Sequence, residues 1–294
     1  MTDMPLRAMT CMSAFAFAWV LVEEVIGSAI SQPYPLLQIV WCRYAVHLAL
    51  MLLVNLHVPS RMWRTRRLGF HLSRSILMLI MPASFAMSLK AGLPVGSVWA
   101  VFWISPLMVL ALARVVLGEG VPRRTWWICG LGSFAAAAMT VDRATPLGPT
   151  LLLPLGMAAS FAGYVVMTRR LEGELLPTNL FYTAVGVFIV LTPVVPWSWV
   201  MPSVHDIALL VGIGAVGLVA LWALDRAIAH ASVATSLPAL YLHLPALVLV
   251  ASTIEDDVTS PRQALGGLLI CSAVAWLAWT AWREAQPGSG RAVA

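Results

Sequence analysis

Apolar stretches of about twenty residues recur ten times along this chain, and that recurrence leaves few folds open. They run approximately Ala8–Ile30, Pro35–His57, Phe70–Lys90, Val95–Leu117, Arg124–Val141, Leu147–Thr168, Thr178–Val200, Asp206–Ala227, Ser232–Thr253 and Pro261–Trp282. A bilayer core about 30 Å thick is crossed by about 20 helical residues. Backbone facing lipid finds no water, so each crossing segment must pair its own N–H and C=O groups as a helix. The two-residue alternation of a β-barrel strand does not occur in these stretches. Composition agrees. Of 294 residues, 60% are hydrophobic and 11% charged, against about 45–50% and 25% in soluble domains. The sequence predicts an all-α polytopic membrane protein with ten transmembrane helices.

A net charge of +5 raises nucleic acid as a partner, but the basic residues are dispersed through short connections, where they report orientation. If the N-terminus is cytoplasmic, the inner connections hold Arg7, Arg61, Arg64, Arg66, Arg67, Arg74, Arg114, Arg123, Arg124, Arg169, Arg170, Arg226, Arg283 and Arg291. The outer ones hold only Lys90, Arg143 and Arg262, and Arg43 falls inside a span. The skew predicts a multi-pass protein of the cell inner membrane with both termini cytoplasmic and no nucleic-acid partner. Tryptophans gather at span ends, Trp63, Trp126, Trp127 and Trp282 inside and Trp197 and Trp199 outside, as interfacial anchors do.

The first stretch imitates a secretory signal, with Arg7, an apolar run and Ile26-Gly27-Ser28-Ala29. Glu23 and Glu24 just before the small residues do not suit a cleavage site, and removal would leave an odd number of spans, so it reads as a retained helix. Cys11, Cys42, Cys129 and Cys271 lie far apart without CxxC spacing and read as small apolar helix residues. The polar, Gly-rich 285–294 segment reads as a disordered tail.

A repeat divides the chain near its middle. Ile104-Ser105-Pro106-Leu107-Met108-Val109-Leu110 leads into Leu117-Gly118-Glu119 and Gly130-Leu131-Gly132. Leu244-Pro245-Ala246-Leu247-Val248-Leu249 leads into Ile254-Glu255-Asp256 and Gly266-Gly267-Leu268. The halves, 8–141 and 147–283, would then hold five spans each. An odd number makes them enter the membrane in opposite directions, the inverted repeat of many transporters.

These features together resemble the EamA family of the drug/metabolite transporter superfamily. The resemblance runs through Tyr34-Pro35-Leu36-Leu37-Gln38-Ile39-Val40-Trp41-Cys42-Arg43-Tyr44, Ile104-Ser105-Pro106-Leu107, Leu117-Gly118-Glu119 and Leu131-Gly132-Ser133-Phe134. It continues in Arg169-Arg170-Leu171, Ala231-Ser232-Val233-Ala234 and Leu237-Pro238-Ala239-Leu240-Tyr241, and covers nearly the whole chain. It implies ten helices in two inverted five-helix repeats around a central cavity that moves small metabolites by alternating access. The chain departs from relatives at Ser28, where they often carry lysine, and at Ile254-Glu255-Asp256-Asp257, where the Leu-Gly-Glu pattern is not repeated.

Charges within apolar spans direct attention to the hairpin from Phe17 to His47, two helices joined by Ser31-Gln32-Pro33-Tyr34-Pro35. A carboxylate at bilayer depth costs about 2.5–3.5 kcal/mol on insertion scales, so Glu23 and Glu24 call for a purpose. Adjacent helix positions point about 100° apart, so at most one is expected to face a cavity fully. Glu24 and Arg43 lie at similar depths, roughly 9 and 12 Å from their outer helix ends at about 1.5 Å per residue. A structural ion pair, a substrate or proton role, and snorkelling to the interface are all open to them. Gln38 and His47 share the Arg43 helix, with His47 aligned at i+4. Trp99 and Trp103 are four apart and suit an aromatic wall or helix packing. Tyr241 and His243 lie between Pro238 and Pro245, while Pro94 and Pro106 flank the fourth span's first half; Pro106, Pro238 and Pro245 are the candidate hinges. Tyr164, Tyr182 and Trp222 are weaker candidates. Glu119 beside Arg123 and Arg124, and Asp225 with Arg226, read as inner-end caps or gate pairs.

No Walker pattern occurs, and the histidines show no HExxH-type or nucleophile-pair grouping, so neither an ATP-driven pump nor an enzyme is expected. The expectation is a secondary transporter for an amino-acid-like or other small organic solute, open to proton coupling and needing no cofactor. A passive channel or a non-transporting scaffold is the alternative. Substrate, direction and oligomeric state are not fixed by the sequence.

Overall fold

A computed structural model of the chain describes residues 4–27, 29–30, 33–55, 60–141, 148–254 and 259–285. Every regular element among them is helical. Helix α1 is Pro5–Val20, continued by π-helical winding over Leu21–Ile26. There follow α2 (Leu36–Val54), α3 (Leu68–Lys90), α4 (Val95–Leu117), α5 (Arg123–Thr140), α6 (Pro149–Arg169), α7 (Leu176–Leu191), α8 (Val204–His230), α9 (Val233–Thr253) and α10 (Pro261–Arg283). A one-turn helix, Ser60–Trp63, sits between α2 and α3. Among the described residues, eight helices are long and apolar enough to cross a membrane. The two that fall short are α7, with 16 residues, and α5, whose first turn carries Arg123 and Arg124. Large apolar side chains such as Leu53, Trp127, Phe134, Leu249 and Leu265 point outward. That surface would drive aggregation in water and is ordinary against lipid. The chain is a multi-pass membrane protein.

Proline sets where helices bend. Pro106 lacks the N–H that would bond the Phe102 carbonyl, and α4 is interrupted at Trp103–Ile104, between Val95–Phe102 and Ser105–Leu112. Pro238 lies in a 3₁₀ stretch, Leu237–Leu242, that interrupts α9 after its first turn, Val233–Ser236, and Pro245 follows it inside His243–Ile254. A further proline, Pro82, stands inside α3 and deprives the Met78 carbonyl of its helical partner.

The two halves interleave instead of standing apart. Helix α1 packs on α8 and α9, α2 on α7 and α8, α3 on α6 and α7, α4 on α5 and α6, α9 on α10, and α5 on α10. One large apolar core runs through the centre of this arrangement, from Met12 and Trp19 to Leu221 and Leu240.

One expectation about charge is corrected. Arg74 is not a loop residue: it lies inside α3 and is 0% exposed. Ser28, His57, Arg143, Glu255, Asp256, Asp257 and residues 286–294 lie outside the described residues.

Candidate functional site

A central cavity of about 370 Å³ opens among α1, α2, α3, α4, α6 and α8, within the range of small-molecule sites. Its rim holds Gly27, Ile30, Leu36 and Val95, all at the Tyr34 end of the helices. Its floor holds Phe161, Leu221, Leu224 and Tyr44, deeper toward the Glu119 end.

Phe15, Trp19 and Glu23 recur every four residues along α1 and so share one face. Glu24, its neighbour in sequence, lines the cavity too. The reason is the π winding of Leu21–Ile26, closed by the Gly27 N–H on the Val22 carbonyl. Bonds of i→i+5 type put more residues in each turn and narrow the angle between neighbours. Such π segments are frequent at functional sites.

Arg43 reaches the same cavity from α2. Among the described residues it forms no ion pair within 4.0 Å, and its Nε meets no hydrogen-bond partner. The closed Glu24–Arg43 pair, one of the three expectations, is therefore not formed. The guanidinium lies 5.8 Å from the Tyr44 ring centroid and rests in a notch left by Gly217 of α8.

The remaining wall is aromatic. Trp19 meets Trp99 edge-on at 6.0 Å and Phe161 at 6.1 Å, and Phe85 lies 5.6 Å from Trp99. Edge-on and tilted contacts of this kind suit the ring quadrupoles and leave faces available to a flat ligand. Met78, Met81 and Pro82 line the cavity from the same face of α3 as Phe85.

Of the expected site residues, Glu23, Glu24, Arg43 and Trp99 line the cavity, and Gln38, His47, Trp103, Tyr241 and His243 do not. Gln38 is a latch: its Nε2 donates to the Val200 carbonyl at 2.6 Å and its Oε1 accepts from the Val200 N–H at 2.9 Å. His47 is buried beside Tyr44, ring centroids 6.0 Å apart. Trp103 packs behind Trp19, and its carbonyl accepts from Ser133 Oγ at 2.8 Å. Tyr241 donates to the Cys129 carbonyl at 2.9 Å and fills the space that Gly132 leaves. His243 supports the wall from behind, its ring 5.0 Å from Trp19. The hinge candidates Pro106, Pro238 and Pro245 sit at the helix interruptions, away from the lining.

Sequence reasoning passed over Phe15, Trp19, Tyr44, Phe161 and Pro82. Trp19 carried a signal, its four-residue spacing from Glu23. The weaker candidates are also set elsewhere. Tyr164 stands below Phe161 in the core, Tyr182 donates to the Trp63 carbonyl at 2.8 Å, and Trp222 faces outward beneath Arg226.

Both ends of the helix set are tied. At the Tyr34 end, the Tyr34 hydroxyl donates to Asp206 Oδ2 at 2.7 Å, and Gln38 holds Val200. At the other end Gly118, with φ +68°, stops α4 in the left-handed conformation and aims Glu119 across the molecule. Glu119 accepts from Arg169 Nε at 2.8 Å and from the Val233 N–H at 3.1 Å, joining α4 to α6 and α9. Glu119 thus makes an ion pair at the inner end, as its position suggested, with Arg169 as the partner. Asp225 and Arg226 do not form an end cap: Asp225 is buried, and Arg226 lies over the Trp222 ring.

No family model matches the chain. It is 26% identical to the riboflavin transporter of Vibrio cholerae over 299 residues, 99% of this chain and 98% of that protein. It is 25% identical to the S-adenosylmethionine uptake transporter of Rickettsia prowazekii over 218 residues, 74% of each chain. The corresponding Rickettsia conorii transporter is 26% identical over 70% of each. A solved crystal structure superposes with a TM-score of 0.78 at 16% identity, covering 95% of this chain and 99% of that one. That likeness concerns the fold alone.

Proposed function

We propose that this chain is a secondary transporter that carries a small organic metabolite across the cell inner membrane by alternating access, as members of the EamA family do. Curated relatives that align over most of its length are named as metabolite transporters, and the chain is a transporter of a small metabolite, not an enzyme. The observation that carries the mechanism is a cavity with two acids, a guanidinium and an aromatic wall, tied at both ends by polar clamps.

Two inverted five-helix repeats are supported by the packing itself. Exchanging each helix of the first five for its counterpart in the second turns α1–α8 into α6–α3, α2–α8 into α7–α3, and α1–α9 into α6–α4, all of which are real contacts. The pairs α2–α7 and α5–α10 map onto themselves. The proline-interrupted helices α4 and α9 are counterparts as well. Such symmetry gives two equivalent packings and hence two facing states. The arginine skew supports placing the Glu119 end in the cytoplasm and the Tyr34 end outside.

For the substrate we favour a flat ring with a polar or charged appendage. Trp19, Phe85, Trp99 and Phe161 offer the ring faces, and Glu23, Glu24 and Arg43 the charges. Riboflavin and S-adenosylmethionine, the compounds named for the relatives, both contain fused aromatic heterocycles. The freed Met78 carbonyl beside Pro82 adds an acceptor for a ring N–H. Thermal-shift titration of the purified chain against riboflavin, S-adenosylmethionine, nucleosides and amino acids tests this. Stabilisation by ring-bearing compounds is expected, and a response confined to ring-free amino acids contradicts it.

A further inference from the structure

A second set of charges, Arg74 and Asp225, lies outside the cavity lining, toward the Glu119 end. Arg74 of α3 is 0% exposed. Its Nη1 donates to Thr168 Oγ1 at 2.8 Å, and its Nη2 to the Asn179 carbonyl at 2.5 Å and to Thr183 Oγ1 at 2.7 Å. The Tyr164 ring lies 5.0 Å from the guanidinium. All of these partners are neutral, and Arg74 Nε has none.

The opposite charge is Asp225 of α8, 3% exposed. It faces the Asn179 carboxamide within electrostatic reach of Arg74 and Tyr164. Neither of its oxygens meets a donor in hydrogen-bonding geometry, and Asn179 Oδ1 is unpartnered as well. No ion pair within 4.0 Å joins Asp225 to Arg74 among the described residues. A buried, unpartnered carboxylate inside a membrane-spanning helix is among the costliest arrangements a protein can adopt. Neutralising it with a proton removes that cost.

The position gives the pair a use. Asp225 follows Leu224, Arg74 precedes Met78 by one turn, and Tyr164 follows Phe161 by about one turn; Leu224, Met78 and Phe161 all line the cavity. On the far side stand the Glu119–Arg169 ion pair and the Arg169 bond to the Ile228 carbonyl. The cluster therefore lies between an apolar floor and a polar clamp, shut off from both. Opening toward the Glu119 end would part these layers and let water reach it.

We infer that Asp225, with Arg74 as its counter-charge, is a proton-binding site that couples transport to a proton gradient. The inference rests on the transporter reading above. One carboxyl oxygen takes a proton from water while the Glu119 end is open and holds it as that end closes. It gives the proton up to water that enters past the parted cavity floor while the Tyr34 end is open, or the same steps run in reverse, so that one proton crosses per cycle; no other bond changes. The titratable groups within electrostatic reach of the pair are His71 of α3, Tyr164 of α6 and Tyr44 of α2, while Arg43 and His47 stand beyond them beside Tyr44. Helix α7 adds the neutral Asn179 and Thr183, and α1 adds Cys11, near Arg226.

The test uses the full chain in proteoliposomes with riboflavin and S-adenosylmethionine as probes, measuring uptake with and without an imposed pH gradient. The gradient is expected to change wild-type uptake several-fold, the ratio to collapse to unity in Asp225→Asn, and the response to return, with a displaced pH profile, in Asp225→Glu. A purely structural Asp225 would lower both rates together and leave the ratio intact, which would overturn the inference, as would an unchanged profile in Asp225→Glu. Infrared titration of the chain in lipid nanodiscs decides independently of substrate. A pH-responsive carboxyl band that survives Glu23→Gln and Glu24→Gln but is missing from Asp225→Asn supports the site, and an identical titration in Asp225→Asn removes it. A wild type that has this band yet moves neither probe counts against the proposed substrate class and leaves the proton site standing.

Discussion

The Arg43 side chain fits a notch at Gly217: a methyl group added there would stand 2.5 Å from Arg43 Nε and 3.1 Å from Cζ. Gly214, nearly a turn earlier, opens the same face of α8 to Val46 and to the Arg43 carbonyl. Small residues on a packed face let two membrane helices approach closely, and here the approach carries a guanidinium to the cavity wall. Gly217→Ala should displace only the flexible end of Arg43 and weaken substrate binding about tenfold, ~1.4 kcal/mol. Gly214→Ala meets backbone and a β-branched side chain instead, so folded yield should fall. Binding titrations and size-exclusion profiles of the two variants separate these outcomes.

Charge at the cavity wall should discriminate between substrates. S-Adenosylmethionine carries a sulfonium and an ammonium group, whereas riboflavin is neutral. Glu23→Gln and Glu24→Gln should each weaken S-adenosylmethionine binding by about 10- to 100-fold, the ~1.5–3 kcal/mol of a charged hydrogen bond, and change riboflavin binding far less. Calorimetric titration of both compounds against both variants checks the contrast. Equal losses for the two ligands would point to a structural role for the acids.

The aromatic wall should act on both ligands alike. Trp99 presents its ring to the cavity between Trp19 and Phe85. Trp99→Leu keeps bulk and removes the ring, and should weaken either ligand about 3- to 10-fold, from the ~0.5–1.5 kcal/mol of a ring–ring contact. Trp19 is different in kind, because it also packs on Phe102, Trp103 and His243. Trp19→Ala should cost about 3–5 kcal/mol of stability, visible as a lowered melting temperature in detergent.

The Glu119 clamp should bias the two facing states. Its ion pair with Arg169 is partly buried, and a pair of this exposure is worth about 1 kcal/mol, roughly fivefold in population. Ser236, buried near the start of α9, can report the opening. A Ser236→Cys side chain should react several-fold faster with a water-soluble maleimide when Glu119→Gln is present. Equal rates would mean that the clamp does not hold this end shut.

Much of the helix arrangement was legible because lipid imposes length and polarity on every segment it touches. Glu23, Glu24, Arg43 and Trp99 stood out for the same reason, as polar or bulky groups against an apolar background. Trp19, Tyr44 and Phe161 had no such contrast: an apolar residue in an apolar span looks alike whether it faces lipid, core or cavity. The π winding at Leu21–Ile26 was equally hidden, and with it the shared orientation of the two acids. Arg74 was misplaced because it lies only six residues inside α3, close behind the arginines of the preceding connection. Gln38 reads as a polar intramembrane group in any sequence, and only the folded chain shows that Val200 takes up both ends of its amide.

Accumulation in proteoliposomes tests the central assignment most directly. With riboflavin or S-adenosylmethionine outside and a pH gradient imposed, the reconstituted wild type should concentrate one of the two above its external level, and Glu23→Gln,Arg43→Gln should not. Equilibration without concentration under every gradient would make the cavity a passive pore and contradict secondary active transport.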